Sequence, residues 1–171
     1  MKIILFVCTG NSCRSVMAQA ICQRLLRERG LIATDPSASA WKQLLVLSAG
    51  VSAVEGMSAT FETRTALRSQ GADANAHRAV RLTDEMIRRA ELILVMEELH
   101  HEAILKRVPE AASKVYFLKT FSMDGAIAAT MDPSIPDPIG KPLEVYETCF
   151  ATIQAGVERV VKYVEAQCAS P

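Results

Sequence analysis

The first fifteen residues constrain this chain more than any other stretch. The apolar run Ile3-Ile4-Leu5-Phe6-Val7 leads directly into Cys8-Thr9-Gly10-Asn11-Ser12-Cys13-Arg14-Ser15, and helical spacing of apolar residues begins straight afterwards. A short apolar run, a Gly-Asn turn and an amphipathic segment spell strand, loop and helix. That geometry aims loop N–H groups and a helix N-terminus at one point, which is where an anion is held. Cys8 opens the loop and Arg14 closes it, with five residues between them, so a thiol at the base and a guanidinium at the rim face the same tetrahedral anion. The loop dipoles and the nearby Arg favour thiolate over thiol, so the sequence predicts a Cys8 that is charged at neutral pH. Arg14 supplies a fork of donors for two phosphoryl oxygens, and Ser15 stands where its hydroxyl can hydrogen-bond the sulfur. Asn11 is a residue type that tolerates left-handed backbone angles, as a tight anion loop requires. The chemistry such a set suits is nucleophilic attack on phosphorus.

The rest of the chain alternates strand with helix. Met17, Ala18, Ile21, Cys22 and Leu25 recur at helical spacing up to Gly30. Small polar residues 33–40 form a loop before the second strand, Leu45 to Gly50. Ser58 to Gln70 reads as a helix with Ser58 as N-cap, Gly71 past its end, and an apolar face of Ala59, Phe61, Ala66 and Leu67. Thr83 caps a further short helix that runs into Leu92 to Met96, apolar on both faces as a central parallel strand is. Glu97 to Arg107 is helical and stops before Pro109, and Val115 to Leu118 is the fourth strand. His100 and His101 are adjacent, so on a helix they point about 100° apart, share no metal, and are expected to face solvent. Tyr146, Cys149, Phe150, Ile153, Val157, Val160 and Val164 form the buried stripe of a last helix. The prediction is an α/β fold: a four-stranded parallel sheet with right-handed crossovers, helices on both faces, and a phosphate-binding loop after the first strand.

With 171 residues, half of them apolar, the chain is expected to form one domain over 1–171. A formal net charge of zero argues against nucleic-acid and acidic-membrane partners, and no stretch is apolar for long enough to cross a bilayer. The apolar run after Lys2 ends at Cys8, too early for a signal peptide. Five cysteines, Cys8, Cys13, Cys22, Cys149 and Cys168, with no Cys-x2-Cys spacing, fit reduced thiols in a cytoplasmic protein with neither a zinc site nor a disulfide framework. No dinucleotide or nucleotide-triphosphate fingerprint occurs. Neither a cofactor nor a metal is expected.

A second chemical element is Met131 to Gly140, a proline-stiffened loop with two Asp-Pro pairs. Breaking a phosphoryl bond to a poor leaving group needs a proton donor, and hydrolysing a cysteinyl-phosphate needs a base; one carboxyl can serve both in turn. Asp132 reads as a turn-former. Cys-x5-Arg-Ser at the first strand–helix turn resembles the signature of the low-molecular-weight protein tyrosine phosphatase family, and the likeness covers most of the chain. It implies a cysteine-dependent protein phosphatase that works through a phosphocysteine at Cys8. It also implies that Asp137 is the acid, because Asp137-Pro138-Ile139-Gly140 followed by Tyr146 reproduces the order of acid and Pro, then the Gly of one bacterial branch, then a helix-opening Tyr. By the same resemblance Ser48, in Ser48-Ala49-Gly50, hydrogen-bonds Asn11, and His77 supports the loop from outside. Val16 stands where the family usually has Pro.

The resemblance also bears on substrate. Tyrosine-directed members grip the ring with aromatic walls after the second strand and after Asp-Pro, where this chain has Val51-Ser52-Ala53-Val54-Glu55 and Ile139-Gly140. They also carry an apolar residue where Ser12 stands. The protein-arginine phosphatase branch has Cys-Thr-Gly-Asn-Thr-Cys-Arg-Ser, close to Cys8 to Ser15. The expected substrate is therefore a phosphorylated protein, with phosphoarginine favoured over phosphotyrosine. An arsenate reductase would need relay cysteines, and none occurs between Cys22 and Cys149. A non-catalytic anion-binding module is the remaining alternative. The sequence carries no indication of oligomeric state.

Overall fold

The computed structural model describes residues 2–32, 44–122 and 132–169; the expected loop at 33–40 and Met131 fall outside them. Four strands, β1 (Ile3–Cys8), β2 (Leu45–Gly50), β3 (Leu92–Val95) and β4 (Val115–Phe117), form an all-parallel sheet in the order β2-β1-β3-β4. Period-two alternation divides the side chains of β1 between two apolar layers. Ile4, Phe6 and Cys8 face the core built with α1 (Arg14–Glu28), α2 (Phe61–Ser69) and α5 (Leu143–Ala169). Ile3, Leu5 and Val7 face the smaller core built with α3 (Asp84–Arg89) and α4 (Glu98–Arg107). The predicted α/β architecture with helices on both faces is thus the one observed. Because β1 lies between β2 and β3, the chain switches direction across the sheet at the carboxyl end of β1, and Cys8 is the residue there.

The helices follow their apolar stripes. α1 buries Val16, Met17, Ala18, Ile21, Cys22 and Leu26, and Gly30 follows its end at φ +65°. α5 buries the whole expected stripe from Tyr146 to Val164 and packs on α1. It comes so close to the turn after β4 that a Cβ on Gly156 would lie 2.7 Å from the Leu118 carbonyl oxygen. Thr83 caps α3 as expected, its hydroxyl accepting from the Met86 N–H at 3.2 Å.

Two local expectations are corrected. The N-cap of α2 is Thr60 and not Ser58: Thr60 Oγ1 accepts from the Thr63 N–H at 3.2 Å. The Thr60 backbone N–H is itself held by the Ser12 carbonyl at 3.1 Å, so the loop after β1 decides where the helix starts. As a result Phe61 is 70% exposed and does not belong to the buried face, which consists of Thr63, Ala66 and Leu67. The strands β3 and β4 each stop one residue short of the apolar run, and Leu118 is buried in a 3-10 turn. No helix among the described residues is long and apolar enough to cross a membrane.

Candidate active site

The loop from Cys8 to Arg14 curls over the carboxyl end of β1 and is fixed from the β2 side by a chain of uncharged hydrogen bonds. Asn11 takes the left-handed conformation at φ +52° and is fully buried. Its side-chain oxygen accepts from the Val80 N–H at 2.8 Å, which fixes the amide orientation. Its Nδ2 donates to Ser15 Oγ and to Ser48 Oγ, both at 2.9 Å. Ser48 in turn donates to Gln19 Oε1 at 2.6 Å, and His77 Nε2 lies 2.8 Å from the Asn11 carbonyl oxygen. Since Ser15 Oγ accepts from Asn11, its own hydrogen is left for Cys8 Sγ, 2.9 Å away. The end of β2 lies against this loop: a Cβ on Gly50 would come within 2.6 Å of the Thr9 carbonyl oxygen and 2.8 Å of the Asn11 nitrogen, so only glycine fits.

The opposite side of the loop is charged. Arg14 is buried, and its Nη1 donates to Glu97 Oε2 at 2.5 Å and to the Ile135 carbonyl oxygen at 2.8 Å. Its Nη2 donates to Asp137 Oδ2 at 2.7 Å and reaches Thr9 Oγ1 at 3.5 Å. Its buried Nε–H has no hydrogen-bond partner among the described residues, which leaves one donor of the fork uncommitted. Burial opposes the charge on Arg14, but the Glu97 hydrogen bond and the neighbouring negative groups outweigh it and push its pKa up. Asp137 is also tied to its own loop, with Oδ1 accepting from the Ile139 N–H at 3.2 Å. Asp132 is elsewhere. It is exposed, it accepts from the Ser134 N–H at 3.0 Å, and that bond holds its carboxyl below the usual range.

The loop hydroxyls and thiols differ in how far they are committed. Gly10 and Thr9 lead into the turn, and Cys13 ends it with Sγ 3.6 Å from Thr60 Oγ1 and 3.9 Å from the Tyr146 hydroxyl. The one hydrogen-bond contact of Ser12 Oγ among the described residues is a long 3.7 Å approach to Cys13 Sγ. Cys149 is buried on α5, and burial pushes its thiol up to about 12.

Two expectations change here. His100 does not face solvent: it is fully buried, with Nδ1 accepting from the Glu97 N–H at 3.1 Å and Nε2 2.9 Å from Thr9 Oγ1. His101 is partly covered and stacks on Phe117 at 5.3 Å between ring centroids. Nor is the Cys8 thiol depressed in this arrangement. Complete burial raises it, against hydrogen bonds from the Ser15 side chain, the Ser15 and Asn11 backbone, and the charge on Arg14. The physical reason is desolvation: the sulfur is buried at the end of β1, and that cost to the charged form exceeds what the loop hydrogen bonds and Arg14 give back. Glu97 and His100 were therefore missed as site residues. The available signal was position: both begin the helix after β3, at the same carboxyl edge of the sheet and beside β1.

Comparison with known proteins gives a consistent result. The profile of the family described as low molecular weight phosphotyrosine protein phosphatase matches residues 3–170. A protein-arginine-phosphatase of Geobacillus stearothermophilus is 36% identical over 164 residues, covering 96% of this chain and 97% of the relative. A probable low molecular weight protein-tyrosine-phosphatase of Ralstonia nicotianae, EpsP, is 33% identical over 165 residues, covering 96% and 97%. Among solved structures, the YwlE arginine phosphatase from Geobacillus stearothermophilus superposes with a TM-score of 0.78 at 33% identity, covering 98% of this chain and 95% of the other.

Proposed function

The chain belongs to the low molecular weight phosphotyrosine protein phosphatase family, and from that premise we propose that it removes phosphate from protein side chains, phosphoarginine in preference to phosphotyrosine, through a phosphocysteine at Cys8. The entering phosphoryl group takes two of its oxygens to Arg14, at Nη2 and the uncommitted Nε, and displaces Asp137 from Nη2. Arg14 then pairs with the phosphoryl oxygens in place of Asp137, and together with the Ser15 hydroxyl and the loop N–H groups it stabilises the negative charge as it passes from the sulfur to those oxygens. Once released from Arg14, the Asp137 carboxylate takes up the proton that Cys8 gives up; Cys8 Sγ then attacks phosphorus in line, the sulfur–phosphorus bond forms as the bond to the leaving nitrogen breaks, and Asp137 passes that proton to the nitrogen. Asp137, now a carboxylate, takes a proton from the water that cleaves the phosphocysteine, and phosphate and the Cys8 thiolate are released. Ser15 donates to the sulfur as attacking and leaving group, while Asn11, Ser48 and His77 keep the loop in shape.

The observation that carries the phosphoarginine reading is the weakly held hydroxyl of Ser12, whose single contact among the described residues is the 3.7 Å approach to Cys13 Sγ. A guanidine leaving group is rich in N–H donors and pairs with such an oxygen, whereas the edge of a phenyl ring has no N–H or O–H to donate to it. The test is turnover on phosphoarginine and phosphotyrosine peptides of matched sequence, side by side. A higher kcat/KM on phosphoarginine is expected; a preference for phosphotyrosine would return the chain to the activity after which the family is named. Chelators are expected to leave turnover intact.

A further inference from the structure

The pair of buried His100 and half-buried Thr9 has no part in the mechanism above, yet its hydrogen-bond directions are fully determined. The Glu97 backbone N–H donates to His100 Nδ1, so the ring's proton is on Nε2, and Nε2 donates to Thr9 Oγ1 at 2.9 Å. Arg14 Nη2 approaches the same oxygen at 3.5 Å. A hydroxyl has two acceptor positions and one donor, so with both lone pairs facing donors the Thr9 hydrogen is left for a third direction. Thr9 follows the nucleophile directly, and Nη2 is also the nitrogen that holds Asp137. Its hydroxyl therefore stands beside the spot where Asp137 and an incoming oxygen exchange. The opposite tautomer would turn the hydroxyl round to donate to the ring and present lone pairs to an anion, which repels it. Burial and the charge on Arg14 hold the His100 pKa down at about 4, so the ring stays neutral at physiological pH.

Resting on the phosphatase reading above, we propose that His100 is a positioning residue: it orients the Thr9 hydroxyl as an obligate donor to an oxygen of the bound phosphoryl group. Thr9 is half-buried and its hydroxyl lies within 3.5 Å of Arg14 Nη2, whereas His100 is fully buried, which is the arrangement of a contact and its support.

The experiment reads protection of Cys8 from alkylation by inorganic phosphate, in wild type, Thr9→Val, His100→Leu and the double variant. One hydrogen bond to a charged group is worth about tenfold or more in affinity, so Thr9→Val is expected to weaken phosphate protection by about that factor. His100→Leu should match it, and the double variant should be no weaker than either single one, because both changes remove the same donor. His100→Gln, whose amide can accept from Glu97 and donate to Thr9, should restore protection without restoring it in a Thr9→Val background. Unchanged protection in Thr9→Val, or losses that multiply in the double variant, would overturn the proposal. Should His100→Leu fail to fold, Thr9→Val and His100→Gln decide it alone: Thr9→Val must lose protection and His100→Gln must keep it. No phosphorylated peptide enters the assay, so a chain that hydrolyses neither peptide would refute the proposed function and leave this result standing.

Discussion

The two sides of the phosphate loop are built on opposite principles. On the β2 side, Asn11, Ser15, Ser48, Gln19 and His77 exchange hydrogen bonds between uncharged groups, with distances of 2.6–2.9 Å. On the α4 side, Arg14, Glu97 and Asp137 meet as ions, and the exposures are unequal: the Arg14 side chain is 1% exposed, Glu97 24% and Asp137 36%. A buried guanidinium without a counter-charge is costly, so Arg14 must always be paired. Glu97 is its permanent partner. Asp137, the more exposed of the two carboxylates and carried on a proline-stiffened loop, is the partner that can leave when phosphoryl oxygens arrive. One side holds a shape; the other holds a place.

That contrast is broken or sharpened most strongly at Asp137. Asp137→Ala removes the proposed acid and one ion partner of Arg14, and kcat is expected to fall by about 10²–10⁴, the scale of general acid–base catalysis. Because that ion pair is partly open to solvent, thermal stability should change little. Asp132→Ala, at an exposed turn, should leave kcat near wild type. A larger loss at Asp132 would move the acid to the wrong side of the contrast.

The neutral side should answer in the other currency. Asn11→Ala strips partners from Ser15, Ser48 and the Val80 N–H and puts a Cβ-only side chain at φ +52°, so chemical denaturation should show a loss of about 1–3 kcal/mol. If Asn11→Ala kept full stability while Asp137→Ala unfolded the chain, the division into scaffold and exchangeable half would be reversed.

What the sequence made legible follows the same division. The sheet, the helix stripes and the loop could be read because apolar periodicity and a contiguous motif are local signals, and Cys8, Asn11, Arg14 and Ser15 lie within eight residues. Ser48 and His77 entered only through a family resemblance, and the same resemblance chose Asp137 from the two Asp-Pro pairs that the local sequence offered. Glu97 and His100 escaped because a Glu and a His in a polar helix look solvent-facing in one dimension. Only the pairing of β1 with β3 carries the start of α4 to the loop. The Cys8 thiol was misread for a related reason: the motif displays the Arg and the loop donors that lower its pKa and does not display the burial that raises it.

Acid should act on both sides through a histidine, because burial lowers the pKa of His77 on the neutral side as well as that of His100 on the charged side. With its pKa lowered from 6.5 to about 4, His100 binds a proton less readily in the folded chain than in the unfolded one. Its contribution to stability is complete above about 6.5 and is lost as the pH falls towards 4, since the unfolded chain takes up the proton first. His100→Gln has no such proton to bind, so its melting temperature should fall less steeply than that of wild type across this window. Parallel curves would mean that the ring already carries its proton in the fold, against the tautomer inferred from the Glu97 N–H.

Ser12 belongs to neither side, and its effect should be the smallest and the most selective. Its backbone is fixed by Thr60, but its hydroxyl makes only the long contact to Cys13. Ser12→Thr keeps the oxygen and adds a methyl group that restricts its rotamers, so the preference for phosphoarginine should hold or rise. Ser12→Ile removes the oxygen and adds apolar surface, so phosphoarginine turnover should drop while phosphotyrosine turnover is spared or improves. One neutral hydrogen bond is worth about 1 kcal/mol, which puts the change in the ratio of the two kcat/KM values at roughly five- to tenfold. Because the loop's scaffold and its ion cluster are both untouched, kcat on a small aryl phosphate should stay the same in all three proteins. A shift in that common value would mean that the substitution disturbed the loop and not the recognition of the leaving group. An unchanged ratio would remove Ser12 as the source of discrimination.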